Sequence, residues 1–108
     1  MANTGNSIKD DQIREIAGGS ITTSYQLLGG PYLRDSFRLW LTNNTNGDIY
    51  LSTDGVTNHK KLPATSGRAL DDKTNDMYRK QGTQWYIKFD SPAPLTPDGW
   101  FAAEVEYV

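Results

Sequence analysis

With 108 residues, no cysteine and a single histidine, the chain is sized for one domain that buries about two-thirds of its unfolded surface. It holds neither a disulfide framework, nor a thiolate metal centre, nor a histidine cluster. Eleven Lys and Arg against thirteen Asp and Glu give a formal charge of -2 with the two signs interspersed, which argues against a nucleic-acid partner or a polybasic membrane surface.

No apolar run approaches the ~20 residues of a membrane span. The first residues, MANTGNSIKDD, lack the basic start and apolar centre of a signal peptide, so a soluble protein not secreted by that route is expected. Residues 1–19 are more polar than the rest of the chain, with Ile8, Ile13, Ile16 and two alanines available for burial. Asp10 to Ala17 reads as a short helix, acidic at its start and ended by Gly18 or Gly19. Its apolar content is too thin for a free-standing helix. The segment is therefore an N-terminal arm, lying across the domain or ordering against a neighbouring subunit. Its deletion is expected to leave the domain folded.

Residues 20–108 read as a β-sandwich domain. Ser20 to Leu28 is the first strand, with Ile21, Thr23, Tyr25 and Leu27 on one face, ended by Gly29, Gly30 and Pro31. The centre of the pattern is Ser36 to Gly55. Phe37, Leu39 and Leu41 alternate with Arg38, Trp40 and Thr42, then five turn formers (Asn43, Asn44, Thr45, Asn46, Gly47) lead to Ile49 and Leu51 alternating with Tyr50 and Ser52. Period two with a Gly/Asn turn predicts a hairpin whose apolar residues share the core face. Leu62 anchors the next segment before Pro63, which marks an edge or a bend. Arg68 to Leu70 is a short strand, 71–76 a polar loop, and Met77 to Lys80 fits either a strand or a helical turn. Thr83, Trp85, Ile87 and Phe89 alternate clearly. Pro92, Pro94 and Pro97 stiffen the next loop, and the last strand turns Phe101, Ala103, Val105 and Tyr107 inward, with Trp100, Ala102, Glu104 and Glu106 outward. Short alternating strands between Gly, Pro, Asn and Asp turns predict an all-β fold, an antiparallel β-sandwich or jelly roll.

Chemistry-bearing motifs are sparse. His59 has no nucleophile placed beside it in sequence, and Asn58 and Lys60 suit a solvated turn. Asp71, Asp72 and Asp76 resemble a calcium loop superficially, but Lys73 stands where a ligand is wanted and Met77 is no turn glycine. Asn43-Asn44-Thr45 is a glycosylation sequon without a secretory context. No enzyme activity, cofactor, metal or small-molecule ligand is expected. Trp40, Tyr50, Tyr86 and Trp100 are more informative, because they fall on the outward register of strands whose other face already holds the core. Such aromatics are covered by the arm, buried against another subunit, or used to stack sugars. With Ile8, Ile13 and Ile16 they are the candidate interface residues.

The succession Ser24-Tyr-Gln-Leu-Leu-Gly29, Leu41-Thr-Asn-Asn-Thr-Asn-Gly-Asp-Ile-Tyr-Leu-Ser52, Asp54-Gly-Val-Thr-Asn-His-Lys-Lys-Leu-Pro-Ala64, Leu70-Asp71 and Gln81-Gly-Thr-Gln-Trp-Tyr-Ile-Lys88 resembles small virion proteins of tailed bacteriophages. The resemblance extends to the terminal strand after Gly99 and covers most of residues 20–108, leaving the arm outside. It implies a β-sandwich component of the particle, in the head-to-tail neck, the tail or the capsid decoration. The reading that follows is a structural protein located in the virion, assembling with other virion proteins and copies of itself and held to its neighbours by the arm and sheet edges. No functional residue is carried over from it. The rival reading is a carbohydrate-binding jelly roll acting at a host surface, for which a row of aromatics on one open face would be the mark.

Overall fold

The computed structural model describes residues 9–71, 79–90 and 95–107. Among these lie strands β1 (Lys9–Asp10), β2 (Arg14–Ala17), β3 (Gln26–Leu27), β4 (Ser36–Asn44), β5 (Asp48–Ser52), β6 (Lys60–Leu62), β7 (Ser66–Asp71), β8 (Tyr86–Asp90) and β9 (Trp100–Tyr107), with one 3₁₀ turn at Gly18–Ser20. One sheet has the order β1-β9-β4-β7, with β2 also pairing β9; the other has the order β3-β8-β5-β6. Every pairing is antiparallel.

The pairings are nested. β5 meets β6 in a hairpin, and outside it β4 meets β7, β3 meets β8 and β2 meets β9. A long two-stranded ribbon has been wrapped around itself, and β4·β9 and β5·β8 close the two sheets. That wind is the jelly roll, an all-β sandwich as the alternation predicted. Between the sheets lie Leu39, Leu41, Ile49, Leu51, Leu62, Trp85, Ile87, Phe89, Phe101 and Val105, all buried. Full burial of such a side chain contributes about 1.5–3 kcal/mol.

Three local expectations are corrected. The expected hairpin over 36–55 is an arch: both edges of β4 are taken by β7 and β9, and β5 lies in the opposite sheet. Leu39 and Leu41 therefore face Ile49 and Leu51 across the core. The arch is pinned by Asn43, 1 % exposed. Its Nδ2 donates to the carbonyls of Gly47 (3.1 Å), Leu62 (3.0 Å) and Pro63 (3.0 Å), and its Oδ1 accepts from Thr45 N (3.1 Å) and Thr45 Oγ1 (2.6 Å). One amide thus ties the β4–β5 arch to the β6–β7 crossing, which also removes Nδ2 of the sequon from reach of any modifying enzyme while the domain is folded.

The first strand shrinks to β3, because Thr22 folds back on itself. Its Oγ1 donates to the Ser24 carbonyl (2.9 Å), Gln26 Oε1 accepts from Thr22 N (2.8 Å), and Gln26 Nε2 donates to the Ser20 carbonyl (2.9 Å). That turn breaks the phase, so Ile21 and Leu28 are buried while Leu27 is exposed. Finally, the expected helix over Asp10 to Ala17 is replaced by β1 and β2. A thin apolar content does not support a helix, whereas β9 offers an open row of backbone partners: Arg14 pairs Ala103, Ile16 pairs Phe101, and Asp11 N donates to Val105 O (2.9 Å).

Candidate functional surfaces

The step between β1 and β2 is held by a buried ion pair. Arg14 and Asp11 are 4 % and 6 % exposed, with Arg14 Nη2 3.4 Å from Asp11 Oδ2. The guanidinium also donates to the carbonyls of Gly30 (Nε, 2.8 Å), Gln12 (Nη1, 2.8 Å) and Pro31 (Nη2, 2.9 Å), while Asp11 Oδ2 accepts from Leu33 N (3.1 Å). Gly29 must lack a side chain here: its φ is +65°, and a Cβ would sit 2.6 Å from Arg14 Cγ. Beneath, Arg14 lies over the Tyr32 ring (5.2 Å to the centroid), and Trp85 Nε1 donates to Tyr32 Oη (2.8 Å). Burial pushes the Tyr32 phenol above its ordinary value. A buried pair of this kind is costly to desolvate and is retained where it imposes one geometry. The geometry imposed here carries Ile13 and Leu33, 57 % and 56 % exposed, on the rim of one small hollow of about 140 Å³. Ile13 stands out in the sequence; Leu33 does not, since nothing local pairs it with a residue twenty positions earlier.

Trp40 and Trp100 stand on the outer face of the β9-β4-β7 sheet. Trp40 is 45 % exposed, and its Nε1 donates to Glu106 Oε1 (3.0 Å), which also pairs with Arg38 Nη1 (3.1 Å). Trp100 is half-buried and lies opposite Asn44. Between the two indoles the row Ala102, Thr42 and Gly67 crosses the strands in register. On the Trp100 side lies an open cleft of about 370 Å³, lined by Trp100, Thr42, Asn43, Asn44, Gly67, Ser66 and Thr65. Thr65 adopts a φ of 54°, a left-handed conformation uncommon without glycine.

Tyr50 and Tyr86 are half-buried on the outer face of the other sheet, so the four outward aromatics divide two and two. Lys88 Nζ lies 4.7 Å from the Tyr25 centroid and 5.8 Å from that of Tyr50, and Lys61 Nζ lies 5.7 Å from Tyr50. Lysines thus cover this row of rings. Gly55 packs against Tyr86. Asp54 Oδ1 accepts from Thr57 N and Val56 N (both 2.8 Å) and Ser52 Oγ (2.7 Å); the two backbone bonds and then the serine hold its carboxyl well below the usual carboxylate range. Desolvation, and after it the Asp54 and Tyr50 charges, raise the Tyr25 phenol.

Of the remaining candidates, Ile16 is half-buried and packs against the domain's own core, and Ile8 lies outside the described residues. So do Asp72, Lys73, Asp76 and Met77 of the acidic loop. His59 is exposed, and its Nδ1 accepts from Thr53 N (3.0 Å), which occupies the ring nitrogen facing the chain. Among the described residues no group of three or more His, Asp or Glu side chains is placed to hold a metal ion. The outer sheet edges carry charge: Arg68 stands exposed on β7 at the position paired with core Leu41, and β6 presents Lys60, Lys61 and then Pro63. These residues oppose addition of a further strand. Set against family models, curated proteins and solved structures, the chain finds no match in any of the three.

Proposed function

We propose that this chain is a non-enzymatic structural protein of a tailed-bacteriophage particle, working by assembly with other virion proteins and copies of itself in the neck, the tail or the capsid decoration. The motif resemblance in residues 20–108 supplies the particle, and the jelly roll is an architecture that capsid proteins use. The observation that carries the assembly reading is the Ile13 and Leu33 pair. Two large aliphatic side chains are presented side by side to solvent, on backbone fixed by the Arg14–Asp11 pair. A contact rigid before binding loses little entropy when it forms. Many copies in a symmetric particle multiply a modest contact into a strong one. The charged edges of β6 and β7 oppose strand addition on their side of each sheet.

Mass spectrometry of purified particles tests the proposal. The protein is expected at fixed stoichiometry, and a chain carrying Ile13→Asp and Leu33→Asp is expected to fold with a parental circular dichroism spectrum yet be missing from particles. Absence of the parent chain from intact particles, or full incorporation of the double variant, would overturn it.

A further inference from the structure

We infer that the cleft on the outer face of the β9-β4-β7 sheet is a binding site for a neutral saccharide. This goes beyond the assembly role and rests on different residues. A sugar ring offers an apolar C–H face and a rim of hydroxyls that both donate and accept. Its site needs an aromatic plane beside neutral groups of the same dual character. The cleft supplies both. Trp100 contributes its partly exposed indole, Asn44 an exposed amide that donates and accepts, and Thr42 a hydroxyl, with no charged side chain in the lining; the Thr65 and Ser66 hydroxyls donate to the Ala64 and Pro63 carbonyls and offer lone pairs only.

The floor explains why the hollow exists. Gly67 lies beside Thr42 in register, and a Cβ at Gly67 would already lie 3.3 Å from the Leu41 carbonyl. The hollow, about 370 Å³, is shallow and open to solvent, so a ligand would rest on it with one face in water. The lip is held by Thr65 in its left-handed conformation, with Thr65 Oγ1 donating to the Ala64 carbonyl (2.7 Å). Backbone held off its preferred region collects at functional sites.

The surroundings select against anions. Exposed Glu104 lies two positions after Ala102 on β9, and exposed Glu15 pairs with Ala102 from β2, so a phosphate, sulfate or sialic acid meets like charge. The Tyr50 and Tyr86 face is the poorer sugar platform, because Lys88 and Lys61 already lie over the Tyr50 ring.

The test uses the intact chain on an immobilised array of neutral hexose, N-acetylhexosamine and deoxyhexose oligosaccharides, then titration of the strongest array glycan with tryptophan fluorescence and amide chemical shifts as readouts. Saturable binding is expected, with shifts centred on Thr42, Asn44, Ser66 and Gly67. Trp100→Ala should weaken binding at least about tenfold, Asn44→Ala should weaken it measurably, and Tyr50→Ala should leave it unchanged. If Trp100→Ala does not fold, the shift map on the parent and the Asn44→Ala titration decide the matter. The inference is overturned if no neutral glycan on the array binds, if the shifts centre on the opposite sheet, or if folded Trp100→Ala binds like the parent. A chain missing from particles that still binds glycan refutes the assembly role alone; one incorporated into particles that ignores the array refutes this site alone.

Discussion

Replacing Asn43 is expected to weaken the arch. In Asn43→Ala the carbonyls of Gly47, Leu62 and Pro63 lose their amide donor, and Thr45 loses the acceptor for its N–H while its hydroxyl keeps the Gly47 carbonyl (3.0 Å). The two amide hydrogens and the Thr45 N–H make three bonds lost outright, so at about 0.5–1.5 kcal/mol net for each the loss comes to roughly 1.5–4.5 kcal/mol. A chain of this length has about 5–15 kcal/mol in total. Thermal unfolding monitored by circular dichroism should therefore show a melting temperature lower by at least about 6 °C, taking about 4–8 °C per kcal/mol. Asn43→Asp should be as harmful at neutral pH, since it turns a carboxylate towards three carbonyl oxygens. It should recover in acid, because a buried carboxyl whose folded pKa is raised contributes most below its unfolded value, near 4, and loses that contribution as pH rises. Asn44→Ala, one residue on and exposed, is the control and should stay within about 0.5 kcal/mol of the parent. A melting temperature for Asn43→Ala within about 4 °C of the parent would refute the pin.

Arg14→Ala should cost about 3–5 kcal/mol, because it leaves Asp11 buried without its partner, and adding Asp11→Asn should restore part of that; equal urea midpoints for the single and double variants would refute the pairing. Deleting residues 1–17 strips β1 and β2 from β9 and should unfold or aggregate the domain, read by size-exclusion chromatography and circular dichroism; a monomer with the parental melting temperature would show that the segment is a dispensable arm. Tyr32 has its phenol raised by burial, so its contribution to stability is complete below the unfolded value, near pH 10, and falls as pH climbs through the folded value. Urea midpoints at pH 9 to 12 should therefore decline less steeply for Tyr32→Phe than for the parent, and parallel declines would refute the assignment.

The sequence by itself determined which residues of the longer strands face inward. Leu39, Leu41, Ile49, Leu51, Trp85, Ile87, Phe89, Phe101 and Val105 are legible from alternation alone, because side chains alternate along any extended strand whatever its partner. The outward positions of Trp40, Tyr50, Tyr86 and Trp100 come from the same rule. Partners are a different matter, since a hairpin and an arch show the same alternation and the same Asn and Gly between strands. What separates them is the Asn43 amide reaching the Leu62 and Pro63 carbonyls, a contact between residues far apart in the chain. The N-terminal segment reads as a helix for the same reason: its strand partner β9 lies at the other end of the sequence. The cleft is half visible. Trp100 announces itself as an outward aromatic, but Gly67 carries no signal until register sets it beside Thr42. Only the tertiary structure decides that, because a cleft shared by β4, β7 and β9 is a property of three adjacent strands and of none of them alone.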